Sequence, residues 1–306
     1  MTEGLGAVGV VIAVLGGAIR VGTPFLFVSL GECLTEKSGR INLGLEGNLV
    51  MGAMSAYGVA YLSGSPWLGV LTAGGAGMLL GLLHALLCQQ PRVNDIAVGI
   101  AMMLLGTGLA FFLGKPFIQP VAPHLPALSL GGWSDSPVIR AALDINVLFV
   151  IGAVLAPAMS WFFRNAKWGF IIRTVGESRD AALAMGINVN RVRMLATMCG
   201  GFLAGIGGSF LSLYYPGAWN EGLSSGQGLM AVALVIFARW NPVYCLYASL
   251  LFGGAAALGP ALQSVGITWG YYLFNAAPYV LTLGIMIATS SSKQRFASMP
   301  GELGKA

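Results

Sequence analysis

Charged residues are scarce in this sequence. Only 9% of its 306 residues are Asp, Glu, Lys or Arg, while 56% are hydrophobic and the mean hydropathy is +0.78. A soluble domain of this length does not bury so large an apolar fraction. One helical crossing of a hydrocarbon core about 30 Å thick takes roughly 20 apolar residues, and runs of that kind recur along the chain. The composition therefore predicts an all-α, polytopic transmembrane helix bundle.

Motifs of catalysis and metal binding are also missing. The sequence has no Gly-x-x-x-x-Gly-Lys-Ser/Thr phosphate-binding loop and no His-Glu-x-x-His pair. Its four cysteines form no Cys-x-x-Cys pair, which argues against a disulfide framework or a zinc site. We therefore expect a protein that is not an enzyme, holds no metal or cofactor of its own and binds no nucleic acid. The N-terminus has no basic flank, and we expect no cleaved signal peptide.

Apolar runs separated by polar interruptions predict about nine crossings. They lie near residues 8–31, 42–62, 67–87, 94–114, 144–163, 195–214, 226–238, 243–260 and 270–290. Arg20 and the Gly22-Thr23-Pro24 break leave two readings of the first run, which is either one crossing or two. The total is then nine or ten.

The distribution of Lys and Arg predicts the orientation, because loops rich in these residues stay in the cytoplasm. With nine crossings, the cytoplasmic side receives Lys37, Arg40, Arg92, Arg164, Lys167, Arg173, Arg179, Arg191, Arg193, Arg239, Lys293, Arg295 and Lys305. The other side receives only Lys115 and Arg140, and Arg20 belongs to the first crossing. This asymmetry predicts an external N-terminus and a cytoplasmic C-terminus.

Two segments outside the predicted crossings are long, and neither resembles a folded domain. Residues 115–143 are rich in proline and predict an extended external loop, whereas residues 164–194 form a cytoplasmic segment. The whole chain, 1–306, is thus expected to be a single transmembrane domain.

Polar residues stand where a crossing should be apolar. The stretch TEKSGRINLGLEGN carries Asn42 and Glu46 into the second apolar run. A carboxylate within a bilayer costs several kcal/mol, and such residues usually face a bundle interior or a water-filled path. Glu46 is accordingly either part of a solute path or a structural group in an ion pair or at the interface.

Asn94 and Asp95 repeat this arrangement at the start of the fourth crossing. They follow Pro91 and Arg92, so a second interpretation is helix capping, in which a side-chain oxygen accepts from free N–H groups at the helix start. Both interpretations stay open at the level of sequence.

The cytoplasmic segment contains VGESRDAALAMGI, which predicts a two-turn helix outside the membrane. Ser178 suits the N-cap, Asp180 the first turn and Gly186 the end of such a helix. Ala181, Ala182 and Met185 would share one face and offer a small apolar surface to a groove of another protein.

These stretches together resemble the permease subunits of bacterial ATP-binding-cassette importers for nucleosides and simple sugars, with the branched-chain amino-acid permeases as more distant relatives. The resemblance is carried, in order, by GECLTEKSGRINLGLEGNLVMGA, VNDIAVGIAMMLLG, GFIIRTVGESRDAALAMGINVNRVRMLA, IFARWNPVYCLYASLLFGGAAALGPALQ and APYVLTLGIM. Two departures stand out: Met103 replaces an asparagine usual in the nucleoside type, and Asp95 replaces a glutamate.

The resemblance implies a multi-pass protein of the bacterial plasma membrane that works with partners. These are two cytoplasmic ATP-binding subunits, which carry ATP and Mg²⁺, a second permease, identical or homologous, and an external solute-binding protein. It also implies two sets of functional residues. The solute path would involve Asn42, Glu46, Asn94, Asp95 and Met103, and ATPase coupling would involve Glu177, Ser178, Arg179, Ala181, Ala182, Met185 and Gly186.

Other functions fit the same sequence. An ATP-driven permease for branched-chain amino acids is one alternative within the superfamily. An ion-coupled secondary transporter that uses Glu46 and Asp95 as proton or cation sites is another, although no inverted repeat is apparent and the coupling-type helix would have no purpose in it. An embedded structural or assembly subunit is a third.

Overall fold

The protein is built mainly from helices. Its structure is a computed structural model that describes residues 6–133, 137–264, 276–288 and 299–305. The helices are α1 (Gly6–Lys37), α2 (Leu45–Ser63), α3 (Pro66–Leu87), α4 (Asp95–Gly114), α5 (Pro137–Ala142), α6 (Val147–Asn165), α7 (Lys167–Glu177), α8 (Arg179–Ala184), α9 (Val189–Leu213), α10 (Gln227–Phe237), α11 (Pro242–Ser264) and α12 (Ala277–Ala288). Two strands, β1 (Ala127–Ser129) and β2 (Asp144–Asn146), and two short 3₁₀ turns (Lys115–Phe117 and Gly301–Lys305) complete the described chain.

Six of the described helices are long and apolar enough to cross a membrane, namely α1, α3, α4, α6, α9 and α11. The protein is therefore a polytopic helical membrane protein. The first predicted crossing is one continuous helix, because α1 runs through Pro24 without a break. The tenth crossing that a break would have produced is not found. Of the ninth predicted crossing, 270–290, residues 270–275 and 289–290 lie outside the described residues.

Helix α9 is the centre of the bundle, and glycines allow its neighbours to approach closely. It packs against α1, α2 and α3, and 61% of its apolar window is buried. A Cβ atom added to Gly52 of α2 would lie only 2.5 Å from the carbonyl oxygen of Gly205 in α9. On α3, Gly77 faces Gly201 in the same backbone-to-backbone manner. Such contacts are how small residues drive helix association in lipid.

One end of the bundle, here called the basic end, gathers residues 34–41, 88–98, 164–194, 238–241 and 301–305. Side chains connect these parts: Arg193 Nε donates to the carbonyl oxygen of Ser38 at 3.1 Å, and the indole N–H of Trp240 donates to Glu36. Eleven of the thirteen Lys and Arg residues predicted to share one side lie at this end. The other two, Lys293 and Arg295, lie outside the described residues.

The opposite end carries the 115–143 segment. Tyr57 Oη donates to the carbonyl oxygen of Pro120 at 2.8 Å, which fastens the segment to α2. Within and beside it, β1 and β2 pair antiparallel with Leu128 opposite Ile145. The prediction of an extended loop was thus incomplete, and the all-α assignment needs correction for this small sheet. The strands form because the segment returns across the bundle end before α6 begins.

The segment that contains the seventh predicted crossing is half irregular. The chain leaves the opposite end at Tyr214, whose hydroxyl donates to the carbonyl oxygen of Asp144 at 2.9 Å, and reaches the basic end at Trp240. Only α10 is helical in between, and its 11 residues span about 16 Å, half of the hydrocarbon core. The helix therefore lies within the predicted apolar run 226–238, but it is too short to cross the hydrocarbon core by itself. Residues 214–226 are irregular, and positive φ angles at Ser225 (47°) and Gly226 (81°) prevent the helix from starting earlier.

Candidate solute path and coupling surface

The carboxylate of Glu46 holds the start of α10. It lies in the first turn of α2, is 8% exposed, and accepts hydrogen bonds from Ser224 Oγ at 2.5 Å, from Gly226 N at 3.1 Å and from Gly228 N at 2.7 Å. Backbone N–H groups at a helix start have no partner within the helix, and a negative charge suits that end of the helix dipole. Glu46 is thus an N-cap supplied by another helix.

This contact lies inside the bundle rather than at its surface. Gly47, the next residue, packs against Met103, which comes eight residues after the first residue of α4, Asp95. At 1.5 Å per residue the site is about 12 Å from the start of α4. Gly228 must also be a glycine, because an added Cβ would lie 2.6 Å from the Cα of Glu46. The half-helix α10 therefore begins deep in the membrane-spanning region.

Asn42 lies in the irregular stretch that precedes α2. Its backbone N–H donates to Glu32 Oε1 at 2.8 Å, and its side-chain Oδ1 accepts from Gly44 N at 2.9 Å. It is 1% exposed, and its Nδ2 has no hydrogen-bond partner within the described structure. A buried donor without a partner is unusual, so this amide is available to a water molecule or a solute.

Asn94 and Asp95 have structural contacts at the basic end. Asn94 Oδ1 accepts from Ile96 N at 2.9 Å and from Ala97 N at 3.1 Å, which is the N-cap arrangement. Asp95 Oδ2 lies 3.3 Å from Arg40 Nε, and the same guanidinium donates to two carbonyl oxygens at the end of α3. Asn94 thus agrees with the capping interpretation, whereas Asp95 forms an ion pair.

The five predicted path residues therefore fall into two groups. Glu46 and half-buried Met103 meet through Gly47, and Asn42 is near them, since an added Cβ on Gly44 would contact both Met102 and Asn42. Asn94 and Asp95 lie about 12 Å away along α4. The structure does not bring all five together.

Sequence reasoning missed the partners of Glu46 and two further buried acids. Residues 222–226 read Gly-Leu-Ser-Ser-Gly, which fits the Gly-x-Ser-x-Gly spacing of hydrolase nucleophile turns. That motif requires a strand before the serine, whereas Ser224 follows an irregular stretch and donates to Glu46. Glu32 and Glu36 are also buried, and the signal for them was two acids four residues apart at the end of an apolar run.

The coupling segment folds as a capped two-turn helix. Ser178 Oγ accepts from Ala181 N at 3.3 Å, and α8 follows directly. The helix ends where Ile187 N donates to the carbonyl oxygen of Ala182 at 3.0 Å. Between them Gly186 takes a φ of +74°, which favours glycine. The N-cap and the terminating glycine lie at the predicted positions.

The exposed surface of α8 differs from the predicted one. Ala182 is 0% exposed and packs into the core at the basic end with Val189 and Val192. The closing turn brings the chain back under α8 and covers that side, so the prediction that Ala182 shares the outer face was wrong. Ala181 is exposed, as are Leu183 at 51% and Met185 at 53%, together with Glu177 and Arg179.

No group of three or more His, Cys, Asp or Glu side chains in the described part of the chain could hold a metal ion. The two regions that carry unusual chemistry are the buried contact at Glu46 and the exposed surface of α8.

The crossing helices, the irregular half-crossing and a capped helix outside the bundle define a helical multi-pass permease. Residues 7–290 match the family model described as "Branched-chain amino acid transport system / permease component". The chain belongs to this family, which confirms the resemblance found in the sequence, and it is a permease subunit of the plasma membrane.

Relatives with similar sequences align with most of the chain. TsgC13, an inferred glucose ABC transporter permease protein of Haloferax volcanii, is 33% identical over 94% of this chain and 87% of its own length. The guanosine ABC transporter permease protein NupQ of Bacillus subtilis is 31% identical over 85% of this chain and 86% of its own. The nucleoside ABC transporter permease protein NupC of Lactococcus lactis subsp. cremoris is 30% identical over 86% and 88%.

Proposed function

We propose that this chain is the permease subunit of an ATP-driven importer for nucleosides or simple sugars. The ATP-driven part rests on α8, a capped helix that lies outside the six long apolar helices. It packs on α9 through Ala182 and projects Leu183 and Met185 from the basic end. An apolar surface of this kind in water needs a partner. The solute class is supported by the names of the three relatives above.

The proposal includes nine crossings, an external N-terminus and a cytoplasmic basic end. The clustering of Lys and Arg at one end of the bundle supports this orientation. Residues 214–240 still run from one end of the bundle to the other and count as one crossing, so the total stays odd and the two termini lie on opposite sides. A reporter that is active only outside the cytoplasm should function when fused within 120–133 and fail when fused at residue 190. Activity at 190 would contradict the orientation.

The solute path is proposed to pass the contact between Glu46 and α10, with Asn42 and Met103 beside it. Backbone without regular structure is tolerated at membrane depth only where protein or a water-filled cavity covers it, and residues 214–226 meet that description. Asn220, Glu221 and Ser225 on this stretch are exposed. Asn94 and Asp95 contribute at its inner end. A second permease, identical or homologous, would form the other wall.

The remaining partners follow from the same proposal. Two ATP-binding subunits carry ATP and Mg²⁺ and dock on Glu177–Gly186, while an external solute-binding protein delivers the solute to the opposite end. Closure of the ATPases moves the permease pair between inward-open and outward-open packings, and the solute biases that equilibrium through its different affinities for the two states.

Bulky substitution on the outer face of α8 tests the proposal. Ala181→Trp should abolish solute-stimulated ATP hydrolysis and co-purification of the ATPase, because packed interfaces tolerate added volume poorly. The matched control is Val121→Trp, which enlarges a side chain that is 76% exposed at the opposite end. If Ala181→Trp keeps the parental rate of solute-stimulated ATP hydrolysis and still co-purifies with the ATPase, docking at α8 is refuted.

An ion-coupled secondary transporter is the second candidate, and the half-helix α10 favours it. Discontinuous helices with a carboxylate at mid-depth are typical of such transporters, and Glu46 with α10 has this geometry. The two candidates differ in one requirement, since only the secondary transporter would take up solute in vesicles that contain no ATPase.

A further inference from the structure

Two buried carboxyl groups lie one helical turn apart near the inner end of α1, outside the proposed path. Glu32 is 0% exposed and Glu36 is 2% exposed. Residues four apart share one face of a helix, so the two carboxyl groups lie side by side and interact with each other. The pair is therefore a single chemical unit.

The two acids do not have equal contacts. Glu36 accepts a hydrogen bond from the indole N–H of Trp240. Glu32 Oε1 accepts from Asn42 N at 2.8 Å, but Glu32 Oε2 is buried and has no donor within the described structure. A buried acceptor without a donor is unfavourable, and more so when it is charged.

In the described part of the chain, the cations nearest to the pair have other partners. The ammonium group of Lys37 lies over the ring of Phe163, 5.2 Å from its centre. The guanidinium of Arg40 is paired with Asp95 and with carbonyl oxygens of α3. Among the described residues no Lys or Arg forms an ion pair with either acid. If both carboxyl groups were ionised, no ion pair with a described Lys or Arg would therefore reduce the repulsion between their charges.

Among the residues that the structure describes, the other titratable groups that face the pair are thiols. Cys33 lies between the two acids on α1 and donates to the carbonyl oxygen of Trp240, and Cys245 approaches from α11. Both are buried free thiols, which carry no charge that could stabilise a second negative charge nearby.

We infer that Glu32 and Glu36 bind one proton between them. Glu32 is the neutral acid, because its Oε2 needs a hydrogen-bond function, and it donates to the Glu36 carboxylate. The added proton removes one of two like charges that burial makes costly. It also makes Glu32 a hydrogen-bond donor, while the Glu36 carboxylate stays an acceptor. The proton comes from water and no other bond changes.

The shared proton fixes the turns on both sides of α1. Glu32 holds the stretch before α2 through Asn42, and Glu36 holds the turn before α11 through Trp240. These turns adjoin the helices that meet at Glu46, so Glu32 and Glu36 are positioning residues for that contact. Protonation of the pair does not require ATP, so its measurement can fail while the tests of ATPase coupling succeed, and the reverse.

Infrared difference spectroscopy of the full chain in lipid vesicles tests this directly. A protonated, buried carboxylic acid gives a carbonyl stretching band that shifts in D₂O. The parent protein should show this band, and Glu32→Gln should lack it, because the amide replaces the neutral acid and donates to Glu36 in the same way. Glu46→Gln is the matched control and should keep the band, since Glu46 already has three donors.

Two outcomes would overturn the inference. One is a parent spectrum without the band, and the other is a band that survives in the double variant Glu32→Gln/Glu36→Gln. Survival in Glu32→Gln alone would refute the assignment of the proton to Glu32.

Solute uptake against pH supplies a second readout. Parental uptake should fall as the pH rises, because loss of the proton creates two repelling charges, whereas uptake by Glu32→Gln should stay level. Equal pH profiles for the two proteins would contradict the positioning role.

Discussion

Replacing Glu46 should release the start of α10. In Glu46→Leu, the backbone N–H groups of Gly226 and Gly228 lose their acceptor. At about 1–3 kcal/mol for each buried group left unsatisfied, local opening becomes easier by about 2–6 kcal/mol. Because about 1.4 kcal/mol corresponds to a factor of ten, even the lower value raises the open population roughly 30-fold. Glu46→Gln keeps one acceptor oxygen, so its effect should be about half as large in free energy.

Hydrogen–deuterium exchange read by mass spectrometry measures this opening. Amides of residues 226–230 should exchange faster in Glu46→Leu than in the parent, with Glu46→Gln between them. Peptides from the centre of α9 should be unchanged. Glu221→Gln is the control, since it neutralises an exposed acid of the same crossing. Parental exchange at 226–230 in a well-folded Glu46→Leu protein would refute the capping role.

Three further substitutions test contacts of the fold. Arg40→Gln should lower the thermal unfolding temperature in detergent, because it removes a mostly buried ion pair and two bonds to α3 carbonyls; an unchanged temperature would contradict this. Gly228→Ala should reduce uptake at normal expression, since its Cβ would lie 2.6 Å from the backbone of α2, whereas Gly254→Ala, with 3.5 Å to its nearest neighbour, should be tolerated. Ala182→Asp should destabilise the protein by exposing the basic-end core to a charge, and Ala181→Asp should not; equal unfolding temperatures would show that both face solvent.

Composition and polar interruptions were sufficient to predict the six long apolar helices, because a bilayer requires long apolar runs and leaves few alternatives. The same reasoning predicted the apolar run at 226–238, where α10 lies, but not the irregular stretch 214–226 before it. The start of α10 is held by a residue 182 positions away in the chain, since Glu46 Oε2 accepts from Gly228 N. Local patterns do not contain such a contact.

The candidate site was predictable in part for a similar reason. A lone carboxylate in an apolar run identifies Glu46, but the sequence does not reveal whether its partners are solute, water or backbone. For Asn94 the local rule of helix capping was sufficient, because Ile96 and Ala97 are its neighbours in the chain. For Ala182 the helical period was misleading, since the turn after α8 covers one side of the helix.

Uptake by reconstituted vesicles tests the central claim most directly. The vesicles contain this chain and the second permease, with or without the ATP-binding subunits, and receive radiolabelled nucleosides or sugars together with the external binding protein. The account predicts accumulation only when the ATP-binding subunits and ATP are both present, and no accumulation when Ala181→Trp replaces the parent. Accumulation at the parental rate without any ATP-binding subunit would contradict it and would favour ion-coupled transport through the half-crossing at Glu46.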